Sequence, residues 1–245
     1  MAKIKVIIPN AGMSSSTLKD RERMLKSVAR NDTEISVECI MAGPESIESE
    51  YDASMASPFI LKQVKAAEES GFDAVIIYCG SDPALKAARE IVRIPVIGPG
   101  ETSFHLASML SSKFSVIGGS DKGKLQELGL DPSLFASARS LGIPVVELRD
   151  DQGVTKEAKE AVISEARKAV AEDGAQAIIL GCLGLAGIAQ EVEKEVGVPV
   201  IDPAFVSVNM AELLIQNGLS QSKISYPYPP KKKYYGSEKK YYGGE

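Results

Sequence analysis

Residues 71–79 read GFDAVIIYC and residues 174–182 read GAQAIILGC, with Gly, Ala, Ile and Cys identical at matched positions. Sixteen residues beyond Cys79 stands Pro95 of PVIGP, and seventeen beyond Cys182 stands Pro199 of PVIDP. Apolar strands resemble one another cheaply, so the shared frame from Gly through Cys to Pro-Val-Ile-x-Pro is the stronger signal. It divides the chain into two similar halves. Each run is short, apolar and ends at a cysteine, as expected of a parallel strand buried on both faces.

Working outward, further strands are expected at 4–8, 35–41, 96–97, 114–117, 145–148 and 200–201, with amphipathic helical stretches such as 58–69 and 156–172 between them. Strand and helix in alternation predict an α/β fold of two parallel-sheet halves related by a pseudo-twofold, with the active site in the cleft between them. The first domain is expected to comprise residues 1–102 with 204–222, and the second residues 103–203. The 21 residues from Ser225 to the end hold six of the eight Tyr and five Lys against two Glu, with no period that could bury a face. Residues 225–245 are therefore expected to form a disordered tail.

Composition narrows the function. At 245 residues and 44% hydrophobic, the chain is long enough for a substantial core, and its 25% charged residues, 21 Gly and 13 Pro exclude collagen, coiled coil and wholesale disorder. A net charge of −5 argues against a nucleic-acid footprint. No apolar run approaches the ~18 residues of a membrane span, and the opening MAKIKVII enters a strand pattern directly, so a cytoplasmic location is expected. Three cysteines, far apart and without a CxxC pair, fit neither a disulfide framework nor a zinc site.

Two halves facing each other across a pseudo-twofold would set Cys79 and Cys182 on opposite walls of one cleft. After Cys79 come Gly80, Ser81, Asp82 and Pro83, where Asp82 reads as a helix N-cap and Pro83 as a first helical residue. Cys182 precedes Leu183 and Gly184, with a helix expected from Leu185. Helix starts would lower both thiol pKa values. A thiolate and a thiol on opposite sides of a carbon acid are what a cofactor-free racemase or epimerase needs, and amides at the loops would hold the enolate oxygen. Cys39, inside a strand pattern matched in the other half by PVVEL, reads as core packing, and His105, the only histidine, as structural or solvent-facing. Glu101, after a Gly-Pro-Gly turn, reads either as a helix N-terminal acid or as a residue reaching the cleft.

The run at 50–117, EYDASMASPFILKQVKAAEESGFDAVIIYCGSDPALKAAREIVRIPVIGPGETSFHLASMLSSKFSVI, together with IILGCLGLAGIA and the opening IIPN, closely resembles hydantoin and allantoin racemases of the aspartate/glutamate racemase superfamily. The resemblance spans roughly residues 4–215. It implies that Cys79 and Cys182 are the acid/base thiols and that Asn10 orients the substrate. It further implies that Gly80, Ser81, Leu183 and Gly184 line the site through their amides. Where the family often carries hydroxyl residues after the strand at 114–117, this chain has Gly118 and Gly119, then Ser120; Gly119 is taken as a substrate contact, and Ser120 stands with Glu101 as a secondary candidate.

The expected activity is therefore racemisation of a 5-substituted hydantoin or related ureide such as allantoin. No cofactor and no metal are expected. The expected partners are a small-molecule substrate and further copies of the same chain, with neither nucleic acid nor membrane. An aspartate/glutamate-type amino-acid racemase is the first alternative; such enzymes typically carry a hydroxyl residue after each catalytic Cys, where Gly80 and Leu183 stand here. The second alternative is a non-catalytic small-molecule binding protein with both cysteines in the core. GGSDKGK at 118–124 has the spacing of a phosphate loop but is followed by Leu125, lacking the Ser or Thr that would bind Mg²⁺.

Overall fold

The computed structural model describes residues 1–119 and 123–233. Two four-stranded parallel sheets carry the fold. In the first, β1 (Ala2–Ile8) lies between β2 (Thr33–Cys39) and β3 (Ala74–Ile77), and β4 (Val96–Ile97) flanks β3. In the second, β5 (Phe114–Ile117) lies between β6 (Phe135–Arg139) and β9 (Ala177–Leu180), and β10 (Val200–Ile201) flanks β9. A short antiparallel hairpin, β7 (Arg149–Asp150) and β8 (Gly153–Val154), stands apart from both. The orders β2-β1-β3-β4 and β6-β5-β9-β10 superpose element by element, which is the repeat read from the two cysteine runs.

All four residues of β3 and all four of β9 are buried, because helices cover both faces of each sheet. In the first half these are α1 (Ser15–Lys26), α2 (Glu50–Glu69) and α3 (Leu85–Ile91). The second half has the short α5 (Lys124–Leu128), then α6 (Lys156–Ala171) and α7 (Ala189–Val196). Two helices tie the halves together: α4 (Pro99–Leu110) and α8 (Pro203–Gln216) pack on each other, α4 reaching β9 and α8 reaching β1, β3 and β4. Ser14, Ser49 and Thr155 cap α1, α2 and α6 by accepting the backbone N–H of Thr17, Asp52 and Ala158. The cap at Ser49 starts α2 eight residues before Pro58, where the helical stretch was expected to begin.

The strand expected at 145–148 is a 3-10 turn, Val145–Glu147, in which the Glu147 N–H donates to the Pro144 carbonyl. Of that apolar run only Leu148 is deeply buried, and Val146 is exposed. The true counterpart of β2 is β6, whose sequence FASAR carries one aromatic and two polar residues. Side-chain polar bonds hold it: Ser137 Oγ lies 2.8 Å from Ser115 Oγ on β5, and Arg139 pairs with Asp173, Glu165 and Glu172.

Residues leading into the tail, and its first two tyrosines, contact the first half. Gln221 bonds both the N–H and the carbonyl of Val96, extending the edge of β4. Tyr226 lies over the Arg89 guanidinium and its hydroxyl is 3.2 Å from Arg89 Nη1, while the Tyr228 hydroxyl accepts from Arg93 Nε. One ring on Arg89 and one beneath Lys223 give this segment partners that its polar composition did not suggest. Residues 234–245 lie outside the described residues.

Candidate active site

Each cysteine stands two residues beyond the carboxyl end of the third strand of its sheet, Cys79 after β3 and Cys182 after β9. Parallel sheets leave their ligand sites at such ends. The two loops meet at glycines. A Cβ placed on Gly80 would lie 2.5 Å from the Gly181 carbonyl oxygen, and one on Gly181 would lie 2.7 Å from the Gly119 backbone nitrogen. Only residues without side chains allow backbones this close. The crossing brings both thiols to the wall of one open cavity of about 1400 Å³, which Asn10, Gly80, Ser81, Gly119, Leu183 and Gly184 also line.

Ser120 lies outside the described residues. Glu101 does not reach this cavity. Its carboxylate pairs with Arg89 at 2.8 Å and borders a separate, smaller hollow beside His105 and Tyr226. His105 is exposed, and Cys39 packs against the core of the first sheet. Among the described residues no group of three His, Cys, Asp or Glu converges as a metal site.

Burial pushes the Cys79 thiol up to about 11. The Ser81 hydroxyl, 3.3 Å from its sulfur, works in the opposite direction, and the nearby Cys182 and Asp82 add to the rise. Burial likewise raises Cys182, against the Gly184 N–H that donates to its sulfur at 3.4 Å and against the charge of Arg21. The lowering expected from helix starts is absent because no long helix starts at either loop. After Cys79 the chain reaches α3 only at Leu85, and after Cys182 it makes one 3-10 turn, Leu183–Leu185.

Asp82 does not cap the helix that follows it. It sits at φ 55° and accepts the N–H groups of Gly100 and Glu101, capping α4 from a distance in sequence. Lys124 of the second half closes on it at 2.9 Å, and the two side chains are only 1% and 6% exposed. The second half makes the same tie with the acid on the other partner: Asp202, at the start of α8, accepts from Gly187 in the loop after Cys182 and from Ala204. Gly98 is the counterpart of Asp202 in the PVIGP and PVIDP frames, and a Cβ there would lie 2.7 Å from the Asp82 carboxyl carbon. One carboxylate per half thus fixes a cysteine loop to a helix start.

Sequence reading gave no part in the site to Arg21, Tyr78 or Arg149. All three line the cavity. Arg21 occupies a buried position on the face of α1 shared with Leu18 and Leu25, where helical periodicity calls for an apolar residue. Tyr78 breaks the repeat, since Gly181 is its counterpart. Those two irregularities were the available signals. Arg149 lies on β7, an element no sequence pattern marked.

Two thiols on one cavity wall can do paired proton chemistry on a small molecule, and comparison with known proteins bears on the family. A sequence model of the family described as Asp/Glu/Hydantoin racemase matches residues 4–211. A hydantoin racemase of a Pseudomonas species is 41% identical over 238 residues, covering 96% of this chain and 95% of that protein. Among solved structures, allantoin racemase from Klebsiella pneumoniae superposes with a TM-score of 0.87 at 35% identity, covering 96% of this chain and 97% of that one. The allantoin racemase of Pseudomonas fluorescens gives 0.86 at 32% identity, covering 96% and 100%. With both sheets and both cysteine loops inside the matched span, the chain belongs to the Asp/Glu/hydantoin racemase family and is an isomerase.

Proposed function

We propose that this racemase inverts C5 of a 5-substituted hydantoin, or the equivalent centre of a related ureide such as allantoin, using Cys79 and Cys182 as acid and base on opposite faces of the ring and no cofactor. The observation that carries the reading is the convergence of two matched thiols on one cavity. In the reacting form one cysteine is a thiolate and the other a thiol. The thiolate takes the C5 proton, and the C–H electron pair moves into the ring to leave an enolate with charge on the C4 oxygen. The opposite thiol then gives its proton to C5 from the other face and is left as the thiolate, so charge and protons balance. Because burial raises both groups, each rests as a thiol at neutral pH, and the reacting form is the minority that has lost one proton to solvent. The reading takes residues 1–102 with 204–222 and 103–203 as the two cleft-forming units, and takes the enzyme as a cytoplasmic homo-oligomer.

The test is proton NMR in D₂O with each enantiomer of a 5-substituted hydantoin, scored against polarimetry and a control without enzyme. Loss of the C5 proton and decay of rotation from both enantiomers, well above the spontaneous rate, is the expected result. Cys79→Ser and Cys182→Ser should each abolish racemisation, and one of them should still exchange the C5 proton of a single enantiomer. Full racemisation by both variants would refute the two-thiol mechanism. Turnover of aspartate or glutamate, with none of hydantoins or allantoin, would refute the substrate class.

A further inference from the structure

One wall of the cavity holds positive charge that is only partly paired among the described residues. Arg21 is 7% exposed, and its Nη1 has no hydrogen-bond partner. Tyr78 is 5% exposed, and its hydroxyl is also buried without a partner. Both line the cavity beside Cys182, whose thiol responds to the Arg21 charge and which itself acts on the Tyr78 phenol. Arg149 adds a second guanidinium. It spends Nη1 on the Ala186 carbonyl at 2.7 Å and Nη2 on the Met24 sulfur at 3.5 Å. Asp202, whose charge acts on both Tyr78 and Arg149, commits its two carboxylate oxygens to the backbone N–H groups of Gly187 and Ala204. A buried guanidinium and a half-buried one thus stand near an acid whose oxygens are already occupied, and an unpaired buried donor is costly to maintain.

The rim carries the opposite charge. Glu45, Glu48, Glu50, Asp150 and Asp151 are exposed around the mouth, and the one exposed arginine there, Arg23, is paired with Asp20. Repulsion at the entrance slows the approach of a permanent anion relative to a neutral ureide, without deciding what the cavity wall holds once a ligand is inside. Charge that appears only after entry would find the arginine floor waiting.

We propose that Arg21 and Tyr78, with Arg149 behind them, form the oxyanion pole of the site, donating to the ring oxygen that becomes negative as the C5 proton leaves. This rests on the ureide reading above and deepens it. The pole explains how a base that is only a small fraction thiolate at neutral pH can ionise a carbon acid: donors fixed where charge develops lower the barrier without reorganising. It also separates the roles of the cavity walls, the thiols moving protons across the ring plane and the arginine floor holding charge at its edge.

The test is the split between kcat and KM in Arg21→Met and Tyr78→Phe, with thermal unfolding checked for each. Loss of one such donor typically costs ~10²–10³-fold in kcat, so Arg21→Met should fall in that range, with KM changed less than about threefold. In Arg21→Ala, added guanidinium ion should recover part of kcat, an effect a purely structural arginine would not give. Arg21→Lys serves if the uncharged variants do not fold, and should still lose kcat because one ammonium cannot reproduce the guanidinium's geometry. Barbiturate, a planar cyclic ureide that is an anion at neutral pH, reads the pole without turnover. It should bind the wild-type enzyme and bind Arg21→Met more than about tenfold less tightly. A folded Arg21→Met with kcat within threefold of wild type, or one altered only in KM, would overturn the pole while leaving the ureide activity intact. If the wild-type protein turned over no hydantoin or allantoin, the substrate reading would fall, and barbiturate binding that ignored Arg21 would reject the pole on its own.

Discussion

Replacing Gly80 by alanine tests whether the crossing of the two loops sets the spacing of the thiols. The added Cβ would lie 2.5 Å from the Gly181 carbonyl oxygen, where ordinary contact begins near 3.4 Å, so the loops must part by about 0.9 Å. No side chain can turn away to relieve this, because the obstacle is backbone. Gly80 cannot retreat either: its own carbonyl is packed so closely on Gly100 that a Cβ there would overlap it. Overpacking of this kind costs about 1–3 kcal/mol. At roughly 2–4 °C per kcal/mol for a chain of this size, Tm should fall by about 2–12 °C. A displacement near 1 Å between reacting groups costs about 10²-fold in rate. Thermal unfolding followed by circular dichroism, and kcat for loss of rotation of a single hydantoin enantiomer, measure the two effects separately. Gly123→Ala, whose Cβ would meet nothing within 4 Å, is the control and should alter neither. A Gly80→Ala enzyme with the expected drop in Tm but kcat within threefold of wild type would refute the argument, since the methyl would then be absorbed without moving the thiols.

Two further outcomes follow from the electrostatics. With Cys79 pushed up to about 11, its thiolate is about one part in 10⁴ at pH 7, so log kcat/KM in the direction it serves as base should climb with a slope near one from pH 7 to 9. A plateau already reached at pH 7 in C5-proton exchange would contradict a raised thiol. Asp82→Asn takes from the buried Lys124 its anion at 2.9 Å, leaving Glu127 at 3.8 Å, and removes one of two acceptors at the start of α4. Stability in urea should fall by about 3–5 kcal/mol, and a loss below about 1 kcal/mol would show that the pair is not doing what its burial implies.

The fold and the two thiols were legible because they follow from strong local patterns. Buried parallel strands must be apolar and β-branched, and the same frame repeated around Cys79 and Cys182 fixed their equivalence. What escaped was held together by polar groups from distant parts of the chain. The strand at Phe135–Arg139 reads as half polar because its stability comes from Asp173 and Ser115, 34 and 22 residues from their partners Arg139 and Ser137. Asp82 beside Pro83 is the right sequence for a local N-cap, yet its carboxylate reaches Gly100 and Glu101 instead. The thiol pKa values went the other way from the sequence argument because desolvation, which depends on all the neighbours at once, outweighs a dipole whose helix begins residues later. Arg21 was visible only as a charge where an apolar residue was due, and such an exception becomes informative once the cavity it faces is known.

The buried pair of Asp82 and Lys124 also governs how the enzyme can move. It acts as a latch: one end belongs to the loop after Cys79, the other to α5 of the opposite half. A hinge that swung the two sheets apart on that side would pull the latch open and strand both charges in a poorly solvated gap. The far side is bordered by the exposed loop at 45–50 and the hairpin of β7 and β8, where the tie between halves is the weaker contact of Arg149 with the Met24 sulfur. The spacing of the Cys79 loop from the second half is therefore held by a buried charge pair as well as by the glycine crossing, so that side of the cleft is a stiff joint.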